Sequence, residues 1–276
     1  MTLSLASTAQ ISPGVRMPRL GFGTYRAAEG PQVFDSVRDA LEVGYRGVDT
    51  ASMYGNEEGV GRALRESGVP REQLFVATKV WNDEQGYANT LAACDRSLGR
   101  LGLEQLDLYL VHWPSRATLE GTWTAMEDLL ARGSVRSIGV CNFLQHHLES
   151  LLAVCKVPPA VDQVEHHPRL QQPELREYCA SHGIVMQAWA PVMRGRASLV
   201  PELVAIAQAH DKTPAQVCLR WILQHGVTAI PKSVHRARIV ENAEIFDFEL
   251  TGDEMRLIDA LDRNERLGPD PDTMVW

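Results

Sequence analysis

Asp49, Tyr54, Lys79 and His112 stand at or just beyond the ends of short apolar runs that read as strands: Gly47-Val48, Leu74 to Thr78, and Leu106 to Val111. Ionisable side chains at strand exits suit a shared pocket better than a core. A tyrosine, a lysine and an aspartate are also the parts that turn a phenol into a usable acid. The phenol is too weak an acid at neutral pH. A nearby ammonium lowers its pKa by stabilising the phenolate, and a carboxylate would position that ammonium. His112 could then donate a hydrogen bond to the substrate oxygen that receives the proton. General acid catalysis of this kind is worth roughly 100- to 10,000-fold in rate. Taken singly, Tyr54 reads equally as a half-buried tyrosine, Asp49 and Lys79 as a structural ion pair, and His112 as a capped strand end before Trp113-Pro114. The set together points to an enzyme that protonates an oxygen.

Such residues need a scaffold that collects strand ends. Candidate strands run Leu20 to Thr24, Tyr45 to Asp49, Leu74 to Thr78, Leu106 to Val111, Ser137 to Val140, Val161 to Val164, Ile184 to Ala188 and Val227 to Ile230. Most are continuous apolar runs, as expected for parallel strands covered on both faces. Between them the period changes to three and four, as in Val33, Val37, Ala40 and Leu41, or Leu91, Cys94, Leu98 and Leu101. Gly44, Gly68, Gly102, Gly133 and Gly183 mark helix ends, and Pro173 and Thr213-Pro214 mark starts. Eight strands separated by helices predict an α/β (β/α)8 TIM barrel over residues 1–276, one domain; an open doubly wound sheet is the rival. Residues 1–19, with Pro13-Gly14 at a turn, are expected to form a hairpin closing the barrel bottom, and Gly268 to Asp272 a C-terminal loop. In a barrel all strand C-termini open onto the face that carries the active site.

The totals narrow the class. The chain has 276 residues, 45% hydrophobic and 22% charged, enough for a sizeable core without disulfides. A formal charge of −8 argues against a general nucleic-acid partner. The five cysteines form no Cys-x-x-Cys pair, which reads as reduced thiols in a cytoplasmic protein. No stretch approaches a membrane span, and Met1 to Gln10 lacks the marks of a signal peptide. His146-His147 reads as a solvated helix start. Neither that pair nor His166-His167 has convincing metal partners, so no metal is expected. No Gly-x-Gly-x-x-Gly follows a strand, which disfavours a Rossmann site.

Long ordered stretches carry a resemblance: GFGTY (21–25), GYRGVDTASMYGNEEGVGRAL (44–64), DLYLVHWP (107–114), SIGVCNF (137–143), DQVEHHP (162–168) and IPKSVHRARIVEN (230–242). The chain resembles an aldo-keto reductase along nearly its whole length, and its short tail with GPDPDT (268–273) resembles the bacterial 2,5-diketo-D-gluconate reductase-like branch. The resemblance implies a metal-free barrel that reduces aldehydes and ketones with NADPH. Tyr54 becomes the proton donor, Asp49 and Lys79 tune it, and His112 orients the carbonyl. Cofactor contacts carry over to Gly23, Thr24 and Tyr25; to Cys141, Asn142 and Gln163 for the carboxamide; and to Trp189, Ala190, Pro191 and Val192, with the Trp189 ring stacking on the nicotinamide. Lys232, Ser233 and Arg238 match the 2′-phosphate site and Glu241 and Asn242 the adenine contacts; Val234 and His235, which adds basic character nearby, are further cofactor contacts. Cys141 stands where the family usually has serine, and Ala190 where a hydroxyl is common; both departures loosen side-chain anchoring of the cofactor.

Tyr25, Met53, Trp81, His112, Trp113 and Trp276 would wall the substrate pocket, for small dicarbonyls, keto-sugar acids or aromatic aldehydes. The resemblance implies a monomer, with a dimer as the alternative. Two other functions compete: an NADPH-binding regulatory or sensor protein with little turnover, and an aldolase-like barrel in which Lys79 forms a Schiff base.

Overall fold

A computed structural model describes residues 3–274. Trp276, expected in the substrate wall, lies outside them. Eight strands form one parallel sheet: β3 (Phe22–Gly23), β4 (Gly47–Asp49), β5 (Phe75–Val80), β6 (Leu108–Val111), β7 (Ile138–Cys141), β8 (Val161–Glu165), β9 (Val185–Trp189) and β10 (Thr228–Ala229), adjacent in chain order. Backbone bonds join the last strand to the first: Gly21 N–H donates to Ala229 O at 2.8 Å and Gly23 N–H to Pro231 O at 3.0 Å. The sheet therefore closes into a (β/α)8 barrel, and all eight strands fall where the apolar runs place them.

The expected hairpin is present as β1 (Thr8–Ser12) and β2 (Val15–Pro18), turning at Gly14, whose φ of 73° suits a residue without a Cβ. Its Ile11, Val15 and Met17 pack with Phe75, Ala77, Leu108, Leu110 and Val161 in one apolar cluster that fills the barrel bottom. A second cluster lies between strands and helices and takes the alternate residues, among them Val76, Tyr109, Val111, Ile138 and Val164. The two sets obey the strand period of two, and that period decides what comes next. Above Phe75 and Ala77 the next inward residue of β5 is Lys79. Above Leu108 and Leu110 it is His112, and above Val161 it is Gln163. The functional layer is thus the continuation of the core's own alternation at the C-terminal end.

The helices are started and stopped by local chemistry. α1 (Pro31–Val43) begins with proline in its first turn and ends at Gly44, φ 114°. α2 (Glu57–Glu66), α3 (Tyr87–Leu101), α4 (Leu119–Ala131), α5 (Gln145–Leu152), α6 (Pro173–Ser181) and α7 (Pro201–Ala209) follow in order. α8 (Pro214–Gln224) opens with a reciprocal cap in which Gln216 N–H donates to Thr213 Oγ1 and Thr213 N–H to Gln216 Oε1. α9 (Arg236–Ala243) and α10 (Gly252–Asp259) complete the described helices. None of the described helices is long and apolar enough to cross a membrane.

Candidate active site

The polar layer is densely bonded. Lys79, fully buried, donates from Nζ to Asp49 Oδ1 at 2.7 Å and to Thr50 O at 2.8 Å, and lies 3.5 Å from the Tyr54 hydroxyl. Asp49 Oδ2 accepts from Gln163 Nε2 at 2.8 Å, and the same amide nitrogen donates to Gln187 Oε1 at 2.8 Å. Both Asp49 oxygens are therefore engaged. Tyr54 enters from a single helical turn (Ser52–Tyr54) that follows β4 and ends at Gly55, φ 64°. Its ring sits 5.0 Å from that of Tyr25 and 5.7 Å, edge-on, from that of His112; Trp81 packs edge-on against His112 at 5.0 Å. The four residues at the strand exits do converge. Lys79 lies inside β5, which continues to Val80, rather than beyond its end.

One expectation is corrected. Burial and then Asp49, Cys141 and Tyr25 push the Tyr54 phenol well above its usual pKa. The Lys79 ammonium does not reverse this, because its short bonds go to Asp49 and Thr50, and the 3.5 Å approach to the phenol is long. In the resting protein Tyr54 is a protonated, reluctant acid. His112 moves the other way: burial first, and the Lys79 charge second, hold its pKa well below the usual imidazole value, so the ring is neutral. Its Nδ1 is buried without a partner among the described residues. A bare lone pair is cheaper to bury there than an N–H, which leaves Nε2 carrying the proton toward the cavity.

Asp49, Tyr54 and His112 floor one end of a cleft of about 720 Å³ that runs past Asn142, Gln163 and Trp189 to Lys232, Ser233, Arg238, Glu241 and Asn242. Its volume falls in the range of small-molecule and cofactor sites. Asn142, in a left-handed conformation (φ 64°), donates from Nδ2 to His112 O at 2.9 Å and accepts from Trp189 Nε1 at 2.8 Å. The Cys141 thiol points to Gln163 Oε1 at 3.6 Å. Asn142 and Gln163 have thus spent their N–H groups inside the protein and retain acceptor capacity, which fits an incoming carboxamide NH2. At the far end Lys232 has its pKa lowered by burial and by Arg26. Among the described residues neither Lys232 nor Arg238 has a carboxylate partner within 4 Å, so two cations are free for an anion, beside Ser233, whose hydroxyl donates to His235 O at 3.3 Å. Arg236, by contrast, is tied to Asp39 and Glu42 of α1 at 2.7 and 2.6 Å.

The expected cofactor and substrate residues divide. Gly23, Tyr25, Met53, Trp81, Trp113, Cys141, Asn142, Gln163, Trp189, Ala190, Pro191, Val192, Lys232, Ser233, Arg238, Glu241 and Asn242 line the cleft. Thr24, Val234 and His235 do not. The Thr24 hydroxyl turns inward to Asp49 O at 3.0 Å, Val234 packs on the core, and His235 N–H donates to Ser233 Oγ at 3.0 Å ahead of α9. Glu241 also spends its carboxylate on Thr213 Oγ1, at 2.7 Å. The sequence reading missed Arg26, Arg194, Ser198, Thr213, Pro269 and Met274, which also line the cleft. Arg26 and Arg194 carried a signal: each is a cation in a loop directly after a barrel strand.

Two other expectations change. His146 and His147 are not simply solvated: both Nε2 atoms approach Asp272 Oδ1, at 2.9 and 3.3 Å. This trio is close enough for a metal, but Leu144 N–H donates to His147 Nδ1 at 3.1 Å. Nδ1 is therefore an acceptor, and the ring proton belongs on Nε2, where a metal would need a lone pair. Lys79 does not line the cleft and its ammonium is enclosed by Asp49 and Thr50, which leaves a Schiff-base role without access.

Comparison with known proteins places this barrel, with its polar layer and the cleft crossing its C-terminal face, among oxidoreductases. Residues 19–263 match the aldo/keto reductase family, and the chain belongs to that family. It is 51% identical over 276 residues to the glyoxal reductase of Bacillus subtilis, covering 100% of both chains. It is 45% identical over 267 residues to a putative methylglyoxal reductase, DkgA, of Salmonella typhi, covering 95% of this chain and 96% of that one. Among solved structures, a point mutant of Gox0644 in complex with NADPH superposes with a TM-score of 0.93 at 41% identity, covering 98% of this chain and 99% of that one.

Proposed function

We propose that this protein reduces small aldehydes and α-dicarbonyls to alcohols with NADPH, with Tyr54 as the proton donor. The observation that carries the reading is the cleft itself. Tyr54, Lys79 and Asp49 meet a neutral His112 at one end, and uncompensated cations stand at the other.

NADPH, when bound, supplies a hydride to the carbonyl carbon. This chain's residues do the rest. Asn142 and Gln163 accept the carboxamide, Trp189 offers a flat face, and Lys232, Ser233 and Arg238 take the 2′-phosphate, where charge-assisted bonds are the strong ones. His112 Nε2–H holds the carbonyl oxygen. Tyr54 protonates that oxygen as charge develops on it. A phenol of raised pKa can do this because an alkoxide is a far stronger base than a phenolate. It also stays protonated, and so ready, across neutral pH. Lys79 stabilises the phenolate as it forms, at the moment the attraction is strongest, and Asp49 and Thr50 keep Lys79 in place. Trp81 and Trp113 exclude water from the oxygen, which strengthens these interactions.

We favour small dicarbonyls over keto-sugar acids and aromatic aldehydes, in a pocket where the Tyr25 ring packs 5.0 Å from that of Tyr54 and the Trp81 ring 5.0 Å from that of His112. The likeness to glyoxal and methylglyoxal reductases agrees. The test is steady-state oxidation of NADPH with glyoxal, methylglyoxal, a keto-sugar acid and benzaldehyde. The highest kcat/KM is expected for the dicarbonyls; absence of turnover with all four would overturn the reading and favour a binding or sensor role.

A further inference from the structure

Trp189 carries the face assigned to the nicotinamide, and its ring is fastened at two edges. Its Nε1–H donates to Asn142 Oδ1 at 2.8 Å. Its benzo edge meets the backbone of Gly268: a Cβ added there would collide with Cη2 and stand 3.2 Å from Cζ3. Gly268 is in the C-terminal loop, far from β9 in sequence, and loops of this kind drift unless anchored. The anchor is Glu165, at the end of β8 and 1% exposed. Its Oε1 accepts from Leu267 N–H at 2.7 Å and its Oε2 from Gly268 N–H at 3.0 Å. The fully buried His167 approaches Oε1 through Nε2 at 3.1 Å. Burial opposes the Glu165 charge, but the His167 bond and then the two amide bonds outweigh it and hold the carboxyl below its usual pKa. A buried carboxylate kept ionised by two consecutive amides is a demanding arrangement, and none of its partners belongs to the polar layer around Tyr54.

We propose that Glu165 is a positioning residue for the cofactor: by fixing the Leu267-Gly268 backbone against the Trp189 ring, it sets the plane on which the nicotinamide stacks. The inference rests on the reading of Trp189 given above. A hydrogen bond to a charged group is worth about 1.5–3 kcal/mol, more than a neutral one. Glu165→Gln keeps the shape but turns an NH2 toward one of the two amides, so the loop edge is released while the barrel stays intact. Gly268→Ala strikes the same ring and leaves the carboxylate charge in place, its methyl standing 3.3 Å from Glu165 Oε2.

The test uses the six tryptophan indole N–H resonances of the 15N-labelled full chain, with Trp189 assigned by Trp189→Phe. Glu165→Gln and Gly268→Ala should each shift or broaden the Trp189 resonance selectively. Each should also weaken NADPH binding by about tenfold, while kcat at saturating NADPH changes by less than about threefold. Glu254→Gln, in the remote cap of α10, serves as the control and should do neither. A Trp189 resonance unmoved in both variants, or shifts spread evenly over all the indoles, would overturn the proposal. If Glu165→Gln does not fold, Gly268→Ala decides alone. Wild-type protein that fails to bind NADPH would retire the functional reading instead, and the indole resonances would still decide the role of Glu165.

Discussion

Removing both cations at the far end of the cleft, Lys232→Ala with Arg238→Ala, should separate NADPH from NADH. Lys232 is half-buried, its pKa is lowered by burial and by Arg26, and its ammonium makes a long 3.4 Å contact to Arg26 O. Arg238 has no carboxylate within 4 Å among the described residues. Neither charge is consumed by the fold, so an arriving phosphate receives both. A charge-assisted bond contributes roughly 1.5–3 kcal/mol, and partial exposure and salt reduce it toward the lower value. Two such contacts amount to about 3 kcal/mol, or roughly a hundredfold in Kd. The 2′-hydroxyl of NADH offers no comparable charge, so its affinity should change by less than about threefold. Quenching of protein fluorescence on titration with each nucleotide gives both constants, and a salt series should show a shallower slope for the double variant. Equal weakening of NADPH and NADH would refute the assignment of these residues to the 2′-phosphate.

Three further outcomes are expected. Asp49→Asn leaves the fully buried Lys79 ammonium uncompensated and should destabilise the fold by on the order of 3–5 kcal/mol in urea unfolding. Adding Lys79→Met should recover part of that loss, and a single variant costing under about 1 kcal/mol would contradict the buried pair. The folded state holds the buried His166 neutral, with its pKa lowered by burial and by Arg176 to about 3. The unfolded chain binds that proton below about pH 6.5, so the stabilisation is complete above about pH 7 and falls as the pH drops. Its share of the loss by pH 4 is about 3 kcal/mol, and His166→Phe should flatten the acid side of the stability profile by that amount. Because His112 is likewise kept neutral, kcat/KM for reduction should show no titration of this residue between about pH 6 and pH 8. A His112-dependent inflection there would contradict the neutral donor.

How much of this was legible in the sequence follows from which interactions are local. The strands were readable because buried parallel strands need uninterrupted apolar runs, and Lys79 and Gln163 were readable as the first polar inward positions above Phe75-Ala77 and Val161. The Tyr54 titration was misread because spacing shows that an ammonium is near but not what else it bonds. Lys79 spends its short contacts on Asp49 and Thr50, and burial then dominates the phenol. Thr24, Val234 and His235 stand outside the cleft lining for a similar reason, since neighbours along the chain at a strand exit alternate between cleft and core. The loop contributions of Pro269 and Met274 depend on tertiary placement. So does the grip of Glu165 on Gly268, which joins residues 103 apart in sequence. His146 and His147 read as solvated because their partner, Asp272, comes from the other end of the chain.

In the proposed function Tyr54 delivers the proton from a cluster it shares with Lys79, Asp49 and His112. Tyr54→Phe tests it most directly, with kcat for methylglyoxal and Kd for NADPH measured on the same preparation. A fall in kcat of roughly 100- to 10,000-fold with NADPH affinity unchanged is expected. A kcat within about tenfold of the wild-type value would contradict it and move the acid elsewhere in the cleft.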